Sequence, residues 1–135
     1  VLEPINVDYA YNCRIGDNTF VNHNAYFMDC APITIGKYCF IGPYCGMYTA
    51  IHPLVAEERN LGLEIAKPIT VGDNVWIGAN GTIRPGVTIG EGSVIGAKSV
   101  VTKDIPANVL AMGNPCRVIR EITEADRIQK EKSYV

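Results

Sequence analysis

The chain holds two histidines, His23 and His52, five cysteines and one tryptophan, Trp76. His52 stands in the stretch YTAIHPLVAEERN, Tyr48 to Asn60. A neutral imidazole, with a pKa near ~6.5, suits removal of a proton from an alcohol at neutral pH. The cysteines are Cys13, Cys30, Cys39, Cys45 and Cys116. Their number is odd and no C-x-x-C pair occurs, which argues against a disulfide framework and a zinc knuckle. Reduced thiols in a cytoplasmic protein are the simpler expectation. Asn80-Gly-Thr82 matches a glycosylation acceptor, and Gly90 to Gly96 nearly matches a dinucleotide fingerprint. Neither has the surroundings that its chemistry requires.

At 135 residues the chain fits one domain. Hydrophobic residues make up 47% and charged residues 19%, as in a globular protein and not a disordered one. A net charge of −2 gives no reason to expect nucleic acid or an anionic membrane as partner. No apolar run approaches the roughly 18 residues of a membrane helix, and no signal peptide is visible. The sequence opens at Val1 in mid-pattern, which leads to the expectation of a preceding segment.

The elements that must position His52 announce themselves as a repeat. Val71, Ile77, Ile83, Ile89, Ile95 and Val101 are spaced by six residues each. Glycine follows at 72, 78, 90 and 96, with Arg84 and Thr102 as exceptions. Upstream the same beat runs through Ile15, Val21 and Phe27, then Ile35, Ile41 and Met47. Two extra residues separate Phe27 from Ile35, near Cys30–Pro32. A second column lies two residues earlier and is small or medium in size: Cys13, Cys39, Cys45, Val75, Ser93 and Ser99 among others. It makes three of the cysteines compact core residues.

A period of six fits neither an amphipathic helix nor a long alternating strand. Frequent glycine and β-branched residues oppose helix. Short strands, each with a corner after it, stack coil on coil at about 4.8 Å. Each coil then shares its apolar face with its neighbours. The fold class expected is all-β, a parallel β-helix of hexapeptides. The repeat breaks over His52–Pro68, which lacks the glycine corners and carries Glu57, Glu58, Arg59, Glu64 and Lys67. That segment is expected to protrude as a loop without regular structure, with His52 at its exit. TEAD, Thr123–Asp126, reads as a helix start with Asp126 reaching back to Thr123, so a short helix is expected over 123–135 after a β-helical domain over 1–122.

Three segments carry a family resemblance: YTAIHPL, the long run from Lys67 to Pro106, and GNPCRVIREI. In this order they resemble the hexapeptide-repeat acyltransferases, most nearly the maltose and galactoside O-acetyltransferase group, from about Asp8 to Ile122. The resemblance implies a left-handed β-helix, although crossover connections are normally right-handed. It also implies acetyl-coenzyme A as donor and a homotrimer with active sites between subunits.

Residue by residue, the resemblance makes His52 the catalytic base. The acceptor hydroxyl then attacks the thioester directly, so no cysteine need act as nucleophile. Some relatives have serine just after WIG; here Ala79 leaves only a backbone N–H for the oxyanion. Trp76 and Ala97, with Thr102 and Lys103, match the coenzyme site. Arg117 and Arg120 match basic residues near its phosphates, a geometry that guanidinium suits. Asn22 and Asp29 match polar positions of the acceptor site; some relatives have the carboxylate one residue later, at Cys30. His23 is expected to be an ordinary surface histidine.

Two other readings use the same architecture. A β-helical carbonic anhydrase holds zinc with three histidines, and this chain offers only two kinds, even when repeated in a trimer; no metal is expected. A non-catalytic scaffold would bind no coenzyme. Within acetyl transfer, an antibiotic alcohol or serine is the alternative to a sugar acceptor.

Overall fold

The computed structural model describes residues 1–128. It is a left-handed parallel β-helix of about five turns, a three-sided prism of short strands. Face A stacks β1 (Ile5–Val7), β4 (Ala25–Met28), β7 (Gly46–Tyr48), β12 (Thr82–Ile83) and β15 (Val100–Val101) in that order. Face B stacks β2 (Cys13–Ile15), β5 (Ile33–Ile35), β10 (Ile69–Val71) and β13 (Thr88–Ile89). Face C stacks β3 (Phe20–Val21), β6 (Phe40–Ile41), β11 (Trp76–Ile77), β14 (Val94–Ile95) and β16 (Val109–Gly113), closed by β17 (Cys116–Glu121).

The repeat columns meet inside the prism. Val71, Ile77, Ile83, Ile89, Ile95 and Val101 are all buried, as are Val75, Cys39, Cys45, Ser93 and Ser99. The buried hydroxyls are satisfied: Ser93 Oγ donates to Pro106 O at 2.5 Å and Ser99 Oγ to Gly96 O at 2.6 Å. Each regular corner needs one left-handed residue, and asparagine fills it at Asn18, Asn74, Asn80 and Asn108. Asparagine tolerates that conformation because its short amide bonds locally.

Three places depart from the beat. The two extra residues after Phe27 form a turn held from within. Asp29 is fully buried, and its carboxylate accepts from the N–H of Tyr9 at 2.8 Å and of Asn12 at 3.2 Å. Thr49 Oγ1 donates to Met28 O and accepts from Ala31 N–H.

The protruding segment is more ordered than expected. Its stalk is an antiparallel pair, β8 (Ala50–Ile51) with β9 (Ile65–Ala66), and its tip is one helical turn, α1 (Ala56–Asn60). Glu57 and Glu58 lie in the first turn and Arg59 in the last, which matches the helix dipole. Gly62, at φ +80°, then ends the turn.

The C-terminal region also differs. An antiparallel hairpin of β16 and β17 closes face C, and the expected helix is a single 3-10 turn, Glu124–Asp126. The remainder of that expected helix lies outside the described residues.

Candidate active site

His52 follows β8 at the edge where face A turns toward face B. Its side chain lines a groove of about 410 Å³ with Tyr48, Thr82, Arg84 and Val100. It also borders a second hollow, of about 520 Å³, under the loop with Leu54, Glu58 and Ile65. Among the described residues no hydrogen bond holds its imidazole, which is exposed.

The larger hollow, about 530 Å³, lies on face C and around its edge with face A. Four of the expected site residues meet there: Asn22, Trp76, Ala79 and Ala97. Strand register aligns Phe20, Phe40 and Trp76 in one outward column. Trp76 is 55% exposed, so its indole is available to a ligand and does not cap the core. Small residues make the edge flat. A side chain at Gly78 would come within 2.7 Å of Ala97 N, and one at Gly42 within 2.7 Å of Ala79 N. A narrow amide-bearing chain such as pantetheine fits a wall of this kind.

The other expected residues lie elsewhere. Thr102 and Lys103 follow β15 at the edge between faces A and B, the edge that carries His52. Arg117 and Arg120 lie on β17. The Arg120 guanidinium holds Asp126 through two hydrogen bonds, of 2.9 and 2.8 Å, and this pairing keeps the Asp126 carboxyl low, at about 2. Arg120 also borders a hollow with Trp76, Leu110 and Ile122.

Asp29 is a correction. Its side chain has no exposed surface and both oxygens are occupied by backbone N–H groups. It has no face to offer an acceptor. It fixes the Tyr9–Asn12 turn instead. The double occupation of a buried acid is a tertiary fact with no local signal in the sequence.

Sequence reasoning also missed a tyrosine pair beside His52. The rings of Tyr26 and Tyr48 lie 5.8 Å apart, and Tyr26 Oη donates to Asp8 Oδ1 at 2.6 Å. Tyr48 folds back over Gly46, where any side chain would strike its ring.

Four of the five thiols are pushed up. Burial, with the Asp29 charge behind it, pushes Cys13 up to about 11. Burial also raises Cys30, Cys45 and Cys116. None of these four is prepared as a nucleophile.

Comparison with known proteins agrees with the geometry. The family described as bacterial transferase hexapeptide (six repeats) matches residues 68–103. A Saccharomyces cerevisiae protein provisionally named an acetyltransferase, YJL218W, is 56% identical over 123 residues, 91% of this chain and 63% of its own length. The chain thus spans less than two thirds of the first curated relatives it matches. A maltose O-acetyltransferase from Clostridium difficile has 51% identity and a TM-score of 0.89, covering 90% of this chain and 65% of that one. A galactoside acetyltransferase solved with coenzyme A has 45% identity and a TM-score of 0.93, covering all of this chain and 69% of that one. A Vibrio cholerae hexapeptide-repeat acetyltransferase solved with acetyl-coenzyme A has 45% identity and a TM-score of 0.87, covering 90% of this chain and 66% of that one. In sequence and in coil architecture the chain belongs to the hexapeptide-repeat acyltransferase family, near its maltose and galactoside O-acetyltransferases.

Proposed function

We propose that the protein transfers an acetyl group from acetyl-coenzyme A to a hydroxyl of a sugar or similar small molecule, as a homotrimer with sites between subunits. One observation carries this reading. His52, Thr102 and Lys103 stand on the edge between faces A and B, while Trp76, Ala79 and Ala97 stand on face C and its edge with face A. These are two halves of a site that a second copy completes. Exposed apolar surface supports the assembly. Leu54 and Leu61 at the loop tip are 97% and 78% exposed, and Phe40 on face C is 57% exposed. Surface of that kind calls for a partner.

In this reading His52 takes the acceptor's hydroxyl proton as the oxygen attacks the thioester carbonyl. The oxyanion accepts from the N–H of Ala79, which has no acceptor of its own among the described residues. The carbon–sulfur bond then breaks, and the imidazolium returns its proton to the coenzyme's sulfur. Trp76 and Ala97 line the pantetheine path. Lys103, Arg117 and Arg120 supply positive charge for the phosphates. Asn22 meets the acceptor.

The test is acetyl transfer to a panel of sugars, amino acids and antibiotic alcohols, read by product mass because the thiols would consume a dye. His52→Ala is run in parallel. Transfer to one acceptor class, reduced roughly 10²–10⁴-fold in the variant, is the expected result. Unchanged turnover in the variant removes His52 from the mechanism.

A further inference from the structure

Corner glycines are not spread evenly over the prism. Where face B turns into face C the corner residue is glycine in four coils, Gly16, Gly36, Gly72 and Gly90, and Pro106 after Ile105 in the last. Where face C turns into face A it is Gly42, Gly78 and Gly96, with Asn22 above them. The third edge, from face A to face B, has no glycine in that position. Asp8, Met28, Tyr48, Arg84 and Thr102 stand there instead.

Sterics explain the glycines. A side chain at Gly36 would come within 2.8 Å of the backbone of the next coil, and one at Gly72 likewise. The third edge carries side chains in that position instead, and the long loop leaves from it. Register makes its five residues one column. Met28 pairs with Tyr48. Ile83 pairs with Val101 just before Arg84 and Thr102, and Arg84 N–H donates to Val101 O.

The edge carries both signs of charge, with Asp104 beside Lys103 accepting from the Thr88 N–H at 2.8 Å. Asp8 is at its N-terminal end, Tyr48 and His52 stand mid-way, and Arg84 and Lys103 follow one and two coils further on. Arg84 shares a groove with His52 and Tyr48, and among the described residues no acidic side chain lines that groove. Among the described residues Arg84 has no ion pair. Each coil adds about 4.8 Å, so a ligand extending from His52 to Lys103 passes Arg84.

We propose that Arg84, on the edge that also carries His52, Thr102 and Lys103, is a further coenzyme-binding residue. It attracts the phosphate-bearing arm between His52 and Lys103. The inference rests on the acetyl-coenzyme A reading above and adds to it a residue that the family motifs do not assign. A lone cation within about 10 Å of phosphate contributes through a field that salt screens.

The test is calorimetric titration of the full chain with coenzyme A at about 0.05 M and about 0.5 M salt, where screening lengths differ several-fold. Arg84→Gln is expected to raise Kd about five- to tenfold at low salt, with the gap closing at high salt. Arg84→Lys keeps the charge and is expected to stay within about twofold of the parent. Arg14→Gln removes a cation from face B and is expected to leave Kd unchanged. An unchanged Kd in Arg84→Gln overturns the proposal, as does an equal loss in Arg14→Gln or a gap that salt does not narrow. If the parent chain binds no coenzyme A at all, the coenzyme reading itself fails and takes this inference with it.

Discussion

Asp29 serves two turns with one carboxylate. It is buried and accepts from two backbone N–H groups twenty and seventeen residues earlier in the chain. Replacing it with alanine strands both donors, and each unsatisfied buried group costs about 1–3 kcal/mol. Asp29→Ala is therefore expected to lose about 2–4 kcal/mol of stability, read by denaturant unfolding without any ligand. Were Asp29 an acceptor contact only, its removal would leave the unfolding midpoint unchanged.

Cys13 gives a second expectation at this scale. Its thiol is raised from an ordinary value of 9.0 to about 11 by burial and by Asp29. The folded chain keeps this proton at pH values where the unfolded chain releases it. The contribution to stability is thus complete below about pH 9 and is lost as pH rises toward 11. A Cys13→Ala variant should show a flatter decline of melting temperature across that window.

In the sequence His52 stands out because it interrupts the repeat, and Trp76 because it lies on a regular rung. Asp29 was read for the wrong task. A carboxylate at an insertion looks the same in sequence whether it faces solvent or closes a turn.

At the scale of elements, the corners decide how coils stack. Gly78→Ala places a methyl within 2.7 Å of Ala97 N, so one coil must move against the next. Overpacking of this kind costs about 1–3 kcal/mol. Arg84→Ala, in the same position of a different corner, removes only an exposed side chain and is expected to change stability by less than about 0.5 kcal/mol. Equal losses in the two variants, compared by thermal unfolding, would contradict the distinction between edges.

The period of six was readable because glycine and aliphatic columns recur without help from distant residues. The loop was not. Its stalk pairs Ala50 with Ala66 and Ile51 with Ile65, two residues a strand, too short to leave a pattern. The β16–β17 hairpin was missed for a related reason. It follows directly from the last coil, and β17 carries no apolar pattern, with only Cys116 of its six residues buried.

At the scale of the whole molecule, the question is whether one chain can hold a complete site. The prism sets the His52 edge and the Trp76 groove on different sides of one stack. A test separates the two halves genetically. His52→Ala removes the base and keeps the groove. Ala97→Arg fills the groove, where Ala97 meets Trp76 and Ala79, and keeps the base. Each variant alone is expected to be nearly inactive. When the two are unfolded together in equal amounts and reassembled, each subunit interface draws its histidine side and its groove side independently. One half multiplied by one half leaves about a quarter of the interfaces intact in a cyclic, heterologous assembly. Recovery of about that fraction of parental activity would require a base from one subunit acting in the groove of the next. A mixture that stays inactive, although light scattering shows mixed trimers, would place the whole site within one chain and refute the shared one.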